Sequence, residues 1–95
     1  TQVRPAHFDG VDALLDRFHF YRENALPTEP TARACWRQYL YLCGQAAQCP
    51  SEALAGRIAA LQPALAEVPK AGLSLAERLS AEKWQRLAPR KLLKL

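Results

Sequence analysis

The side chains here that could do covalent or metal chemistry are few: three cysteines (Cys35, Cys43, Cys49), two histidines (His7, His19) and a set of carboxylates near the start of the chain. A nucleophilic cysteine needs a histidine to hold it as thiolate. Neither histidine falls at a spacing that places it beside a cysteine. Cys35 and Cys43 lie two helical turns apart, about 12 Å along an axis rising ~1.5 Å per residue, beyond the roughly 7 Å between Cα atoms that a disulfide spans. Cys49 could pair with Cys43 only if the intervening turn unwound. An odd number of cysteines is not a secreted disulfide framework, and no CxxC or HxxxH spacing marks a zinc site. The plain reading is that Cys35 and Cys43 are small core hydrophobes.

Asp12, Asp16, His19 and Glu23 follow i, i+4, i+7, i+11 and share one side of a helix. Metal sites in helical proteins draw ligands from facing elements, and no matching Glu or ExxH pattern recurs elsewhere. The stripe reads as a solvated acidic face. No GxSxG, P-loop or GxGxxG is present. The expectation is a protein that is not an enzyme and that holds no metal or cofactor.

Charge is informative by position. The net charge of +4 arises wholly in the last 25 residues, since basic and acidic groups cancel through residue 70. Lys83, Arg86, Arg90, Lys91 and Lys94 are therefore the candidate nucleic-acid contacts, each able to neutralise a phosphate. Pro89 interrupts the run, and no aromatic-interleaved basic patch accompanies it. The same cations could instead meet an anionic membrane, an acidic protein surface, or the acidic stripe of the first helix, within one chain or between two. Residues 90–95 read as either a frayed last turn or a flexible basic tail.

These groups must be carried by helices. Thr28 to Cys49 is an amphipathic helix with apolar residues at Ala32, Cys35, Trp36, Tyr39, Leu40, Cys43, Ala46 and Ala47, the i, i+3, i+4, i+7 pattern of a core-facing stripe. Thr28 is placed to cap it, Pro30 suits its first turn and Pro50 stops it. At about 30 Å it is long enough to be the post on which shorter helices lean. A first helix is expected over about Asp9 to Asn24, with Phe8, Val11, Leu14, Leu15, Phe18 and Tyr21 on one arc. Two prolines make Asn24 to Pro30 a connection.

A third helix opens at Ser51, with a seam of Leu54, Ile58, Leu61, Leu65 and Val68. Pro63 inside that seam predicts a kink or break near Ala60–Gln62. Ser74-Leu75-Ala76-Glu77 matches a capping box that starts a fourth helix running to about Ala88, with apolar contacts from Leu75, Leu79, Trp84 and Leu87. With no hairpin signal, no repeat and no apolar run of the ~20 residues that span a bilayer, residues 1–95 are expected to form a single all-α domain. Its architecture is a small bundle of three to four helices, mainly antiparallel. No leader pattern opens the sequence, and a cytoplasmic protein is expected.

Two aromatic residues fall off the stripes. Tyr41 stands opposite the apolar arc of its helix among Arg37, Gln38, Gln45 and Gln48, and Phe20 is off the arc of the first helix. One exposed aromatic is ordinary. Two on a small bundle, with Arg and Gln around them, either lie beneath another helix or mark a protein contact, where Tyr, Phe and Arg are enriched. The candidate partner-binding residues are Phe20, Arg37, Tyr41, Leu42 and Gln45, with Leu42 widening the patch at its flank.

In size, all-helical character and richness in Ala, Leu, Arg and Gln, the chain resembles the small helical bacterial anti-activators of quorum sensing, of the QslA and TraM type. The resemblance carries no motif and transfers no residue roles. It implies a negative regulator that binds and sequesters a LuxR-type transcription regulator, with self-association as a homodimer and without catalysis. The alternative expectation is a small nucleic-acid-binding protein that uses the basic C-terminal segment.

Overall fold

A computed structural model describes residues 3–87 and residue 91. A single 3-10 turn, Pro5–Phe8, leads into four α-helices: α1 (Asp9–Glu23), α2 (Glu29–Gln48), α3 (Glu52–Ala66) and α4 (Leu75–Arg86). No strand occurs among the described residues, and no helix among them is long and apolar enough to cross a membrane. The radius of gyration, 13.1 Å, is close to the roughly 12–13 Å of a compact fold of this length.

α2 is the post. Its buried arc is Ala32, Cys35, Trp36, Tyr39, Leu42, Cys43 and Ala46, and the 3-10 turn, α1, α3 and α4 all contact it. Trp36 and Tyr39 anchor that arc, and both are completely buried. The Trp36 indole Nε1 donates to the Val68 carbonyl at 2.9 Å, tying α2 to the segment after α3. The Tyr39 hydroxyl donates to the Ile58 carbonyl at 3.4 Å. The Phe8 ring meets Tyr39 edge to face with centroids 6.5 Å apart, which brings the start of α1 beside the middle of α2 and makes that pair antiparallel.

The expected seam of α3 is realised in full: Leu54, Ile58, Leu61, Leu65 and Val68 are all buried. Pro63, however, neither breaks nor ends the helix, which runs on to Ala66. The reason is position. Only the last turn follows Pro63, so the ring costs a single intrahelical bond, while the buried side chains on both sides of it hold one continuous line. Ser51 caps α3 by accepting from Leu54 N at 3.2 Å. Thr28 occupies the N-cap position of α2, but its side chain makes no capping bond. Its backbone carbonyl instead accepts from Ala32 N at 2.8 Å.

α1 ends in a Schellman arrangement that no glycine announces. Ala25 takes the left-handed conformation at φ 54°, with Leu26 N donating to the Tyr21 carbonyl at 2.8 Å and Ala25 N to the Arg22 carbonyl at 3.3 Å. This turn lets the chain reverse within the five residues between α1 and α2.

Candidate functional site

The arc of α2 opposite the core belongs to Arg37, Tyr41, Gly44 and Gln48, and all four are exposed. α4 lies along one edge of this arc. The capping box starts it: Ser74 Oγ accepts from Glu77 N at 3.2 Å, and Glu77 Oε1 accepts from Ser74 N at 2.8 Å. Glu77 also receives the Arg37 guanidinium, Nε to Oε2 at 2.8 Å and a second nitrogen to Oε1 at 3.4 Å. One carboxylate thus finishes the helix cap and clamps α4 to α2. The Arg37 hydrogen bond, followed by the Ser74 backbone bond, holds the Glu77 carboxyl down at about 2.

Beyond the clamp the two helices leave an open groove of about 460 Å³, lined by Arg37, Leu40 and Tyr41 from α2 and by Ala76, Glu77 and Ser80 from α4. Because Arg37 meets Glu77 while Tyr41 shares the groove with Ser80, α2 and α4 run in the same sense, each antiparallel to α3. Tyr41 in this lining is 62% exposed; Leu75 and Leu79, on the outward face of α4 and outside the lining, are 75% and 60% exposed.

Of the expected partner-binding residues, Arg37 and Tyr41 border this groove together. Leu42 does not belong to the face: it is 4% exposed and part of the core, because the helices around α2 rotate its buried arc toward Leu42 and leave Leu40 only half-buried. Gln45 is half-buried and outside the groove lining. Phe20 is exposed, as its position off the arc of α1 implies, but it stands on the outer face of α1 and does not border the groove.

Leu75 and Leu79 were expected to contact the core and are instead the most exposed leucines among the described residues. α4 buries Ala81 and Trp84, nearly half a turn away from these leucines. The signal that separates the arcs is tertiary: Gln62 on α3 donates to the Trp84 and Leu87 carbonyls, both at 2.8 Å, and fixes the rotation of α4.

Among the basic candidates, Lys83, Arg86 and Lys91 are exposed; the Lys83 ammonium lies 5.7 Å from the Trp84 ring centre. Arg90 and Lys94 lie outside the described residues. The acidic stripe of α1 is partly answered by α3, where Arg57 bridges Asp9 at 3.0 Å and Asp12 at 2.8 Å. His19 Nδ1 instead pairs with the Arg22 guanidinium at 3.0 Å. Among the described residues no three His, Cys, Asp or Glu side chains converge to hold a metal ion.

Cys35 and Cys43 are fully buried and all three cysteines are free thiols, with Cys49 exposed. Burial pushes the Cys35 and Cys43 thiols up to about 12, the reverse of what a nucleophile needs. Burial likewise raises the Tyr39 hydroxyl.

The described residues form a small all-α bundle with an open groove between α2 and α4. No known protein family, no characterised protein and no solved structure matches the chain.

Proposed function

We propose that this protein is a helical protein–protein interaction module, working in the cytoplasm without catalysis, whose docking face is the outer side of α2 and α4. The observation that carries the reading is the exposure of Tyr41 in the α2–α4 groove that Arg37 and Glu77 clamp, together with the exposure of Leu75 and Leu79 on the outward face of α4. Leu75 and Leu79 stand one helical turn apart, and adjoining exposed apolar side chains of this kind mark a contact surface. In its specific form the proposal is a negative regulator that occupies the surface of a transcription regulator of the LuxR type, with self-association as a homodimer. Its support is the size, helical make-up and composition shared with quorum-sensing anti-activators. A second reading, nucleic-acid binding through Lys83, Arg86 and Lys91, draws on the exposure of those three cations.

The test is photo-crosslinking in the host from a benzophenone amino acid placed at position 41 or, as a control, at Glu52 on α3, which is also exposed. A discrete protein adduct from position 41 and none from position 52 is expected. Adducts of equal yield from both positions, or none from position 41, would overturn the docking face.

A further inference from the structure

Resting on that reading of Tyr41, we infer that a second copy of this chain covers the outer arc of α2 when no other protein is bound. The two α2 helices pack antiparallel, with Tyr41 of each copy over Gly44 of the other. Arg37, Tyr41, Gly44 and Gln48 form the exposed arc of α2 and follow at intervals of four, three and four residues. That spacing reads the same from either end. An antiparallel second copy therefore meets it in register: Tyr41 opposes Gly44 and Arg37 opposes Gln48, each pair occurring twice about a two-fold axis.

The residue types match across that axis. Tyr41 offers a large ring, 62% exposed. Gly44, one turn further on, leaves the backbone bare, and a Cβ there would meet nothing within 4 Å. Nothing inside the chain therefore asks for glycine at this mid-helix position, where only proline is a poorer helix former. A bare stretch of helix does suit the ring of a second helix, because it lets the two axes approach toward the near end of the ~8–10 Å range. Gly56 on α3 is equally open, but its exposed neighbours on that arc are Ala53 and Ala60, and no ring stands beside it. Charge also permits the pairing on α2 and opposes it on α4. The chain carries +4, and the exposed side chains of α4 set Arg78, Lys83 and Arg86 against Glu82. On the α2 arc the one charged group, Arg37, is already neutralised by Glu77. The Arg37 side chain stays 54% exposed, so guanidinium N–H groups are left to donate to the amide oxygen of Gln48 of the second copy. The contact is one helix face, ~30 Å by ~10 Å, well below the ~800 Å² per partner of a standard interface. The pair is accordingly weak, with a Kd of about 10–500 μM, and a different protein that takes Tyr41 must displace it.

Sedimentation velocity of the full chain, from about 10 μM to about 1 mM, tests this, and a concentration-dependent shift from monomer to dimer is expected. Gly44→Leu fills the seat of the ring. It is expected to weaken the dimer at least about tenfold while melting no lower than wild type. Exchanging ring and seat, Tyr41→Gly with Gly44→Tyr, is expected to restore the dimer, since the arc is palindromic. Gln48→Glu is expected to tighten it in a salt-dependent way, and Gln48→Lys to loosen it. A chain that stays monomeric at about 1 mM, a dimer indifferent to Gly44→Leu, or one tightened by Gln48→Lys overturns the inference. If the chain stays monomeric while position 41 crosslinks a different protein in the host, the docking face stands and the second copy as its occupant does not. If the dimer forms, is lost with Gly44→Leu, and position 41 crosslinks only further copies of the chain, the pairing stands and the docking of a different protein does not.

Discussion

Replacing Trp36 by Phe probes the post on which the fold is built. The indole is completely buried, and its Nε1 donates to the Val68 carbonyl at 2.9 Å in a buried bond. Its ring meets Tyr39 edge to face at 5.9 Å, and the Lys70 ammonium lies 5.3 Å from its centre. Phenylalanine keeps an aromatic ring at this place but cannot donate, so the Val68 carbonyl is stranded away from water at a cost of about 1–3 kcal/mol. The smaller ring also removes the equivalent of one or two buried methylenes, worth about 1–1.5 kcal/mol. The sum, about 2–4.5 kcal/mol, is a large share of the ~5–15 kcal/mol typical of a domain and corresponds to a fall in Tm of roughly 10–25 °C. Trp84→Phe is the matched control. Trp84 is 4% exposed, and its indole makes no hydrogen bond among the described residues, so only the packing loss of about 1 kcal/mol applies. Urea denaturation of both variants, followed by circular dichroism, gives the comparison. If Trp36→Phe costs no more than Trp84→Phe, the Val68 bond does not hold α2 to the α3–α4 connection and the reasoning fails.

The Glu77 carboxyl is held at about 2, against an ordinary value of 4.5. The stabilisation it gives is thus complete above about 4.5 and lost as pH falls toward 2. Thermal melts across that window are expected to drop more steeply for the wild type than for Glu77→Gln, and parallel curves would show that the clamp contributes nothing. Ala25→Gly is expected to raise stability by about 1 kcal/mol, because glycine meets no steric penalty in the left-handed conformation at φ 54°; a lower urea midpoint would contradict that turn. In a thiol titration of the native protein, Cys49 is expected to react at once and Cys35 and Cys43 only after denaturation. Three fast thiols would mean that the α2 core is open. Leu75→Gln with Leu79→Gln is expected to leave stability within about 0.5 kcal/mol of wild type, measured by thermal melt, and a large loss would show those leucines to be buried.

The helices were legible because their signals are local. Spaced apolar residues, Ser51, the Ser74/Glu77 box and the prolines at positions 30 and 50 each act within a few residues of themselves. What was not legible depends on neighbours. Leu40 and Leu42 flank the same stripe, and only the placement of helices around α2 decides that Leu42 enters the core while Leu40 half-emerges. Leu75 and Leu79 recur at the same i, i+4 interval as a buried pair, yet Trp84 and Ala81 claim the inner arc of α4 and turn the leucines outward. Pro63 carries a strong local signal for a break, and burial along α3 overrides it. The exposure of Tyr41 and Phe20 was readable from the helical wheel. That Tyr41 borders a groove with α4 and Phe20 does not was not readable, since it depends on which helices become neighbours.

The most direct measurement for a docking face on α2 and α4 is quantitative capture from host lysate by wild type and by Tyr41→Glu, each first shown to have the same melting temperature. Tyr41 is exposed and makes no hydrogen bond among the described residues, so the substitution should leave the fold intact. Loss of a specific captured protein with Tyr41→Glu, alongside its retention by Phe20→Glu, is the predicted result. Capture of the same protein in equal amount by wild type and Tyr41→Glu would contradict it.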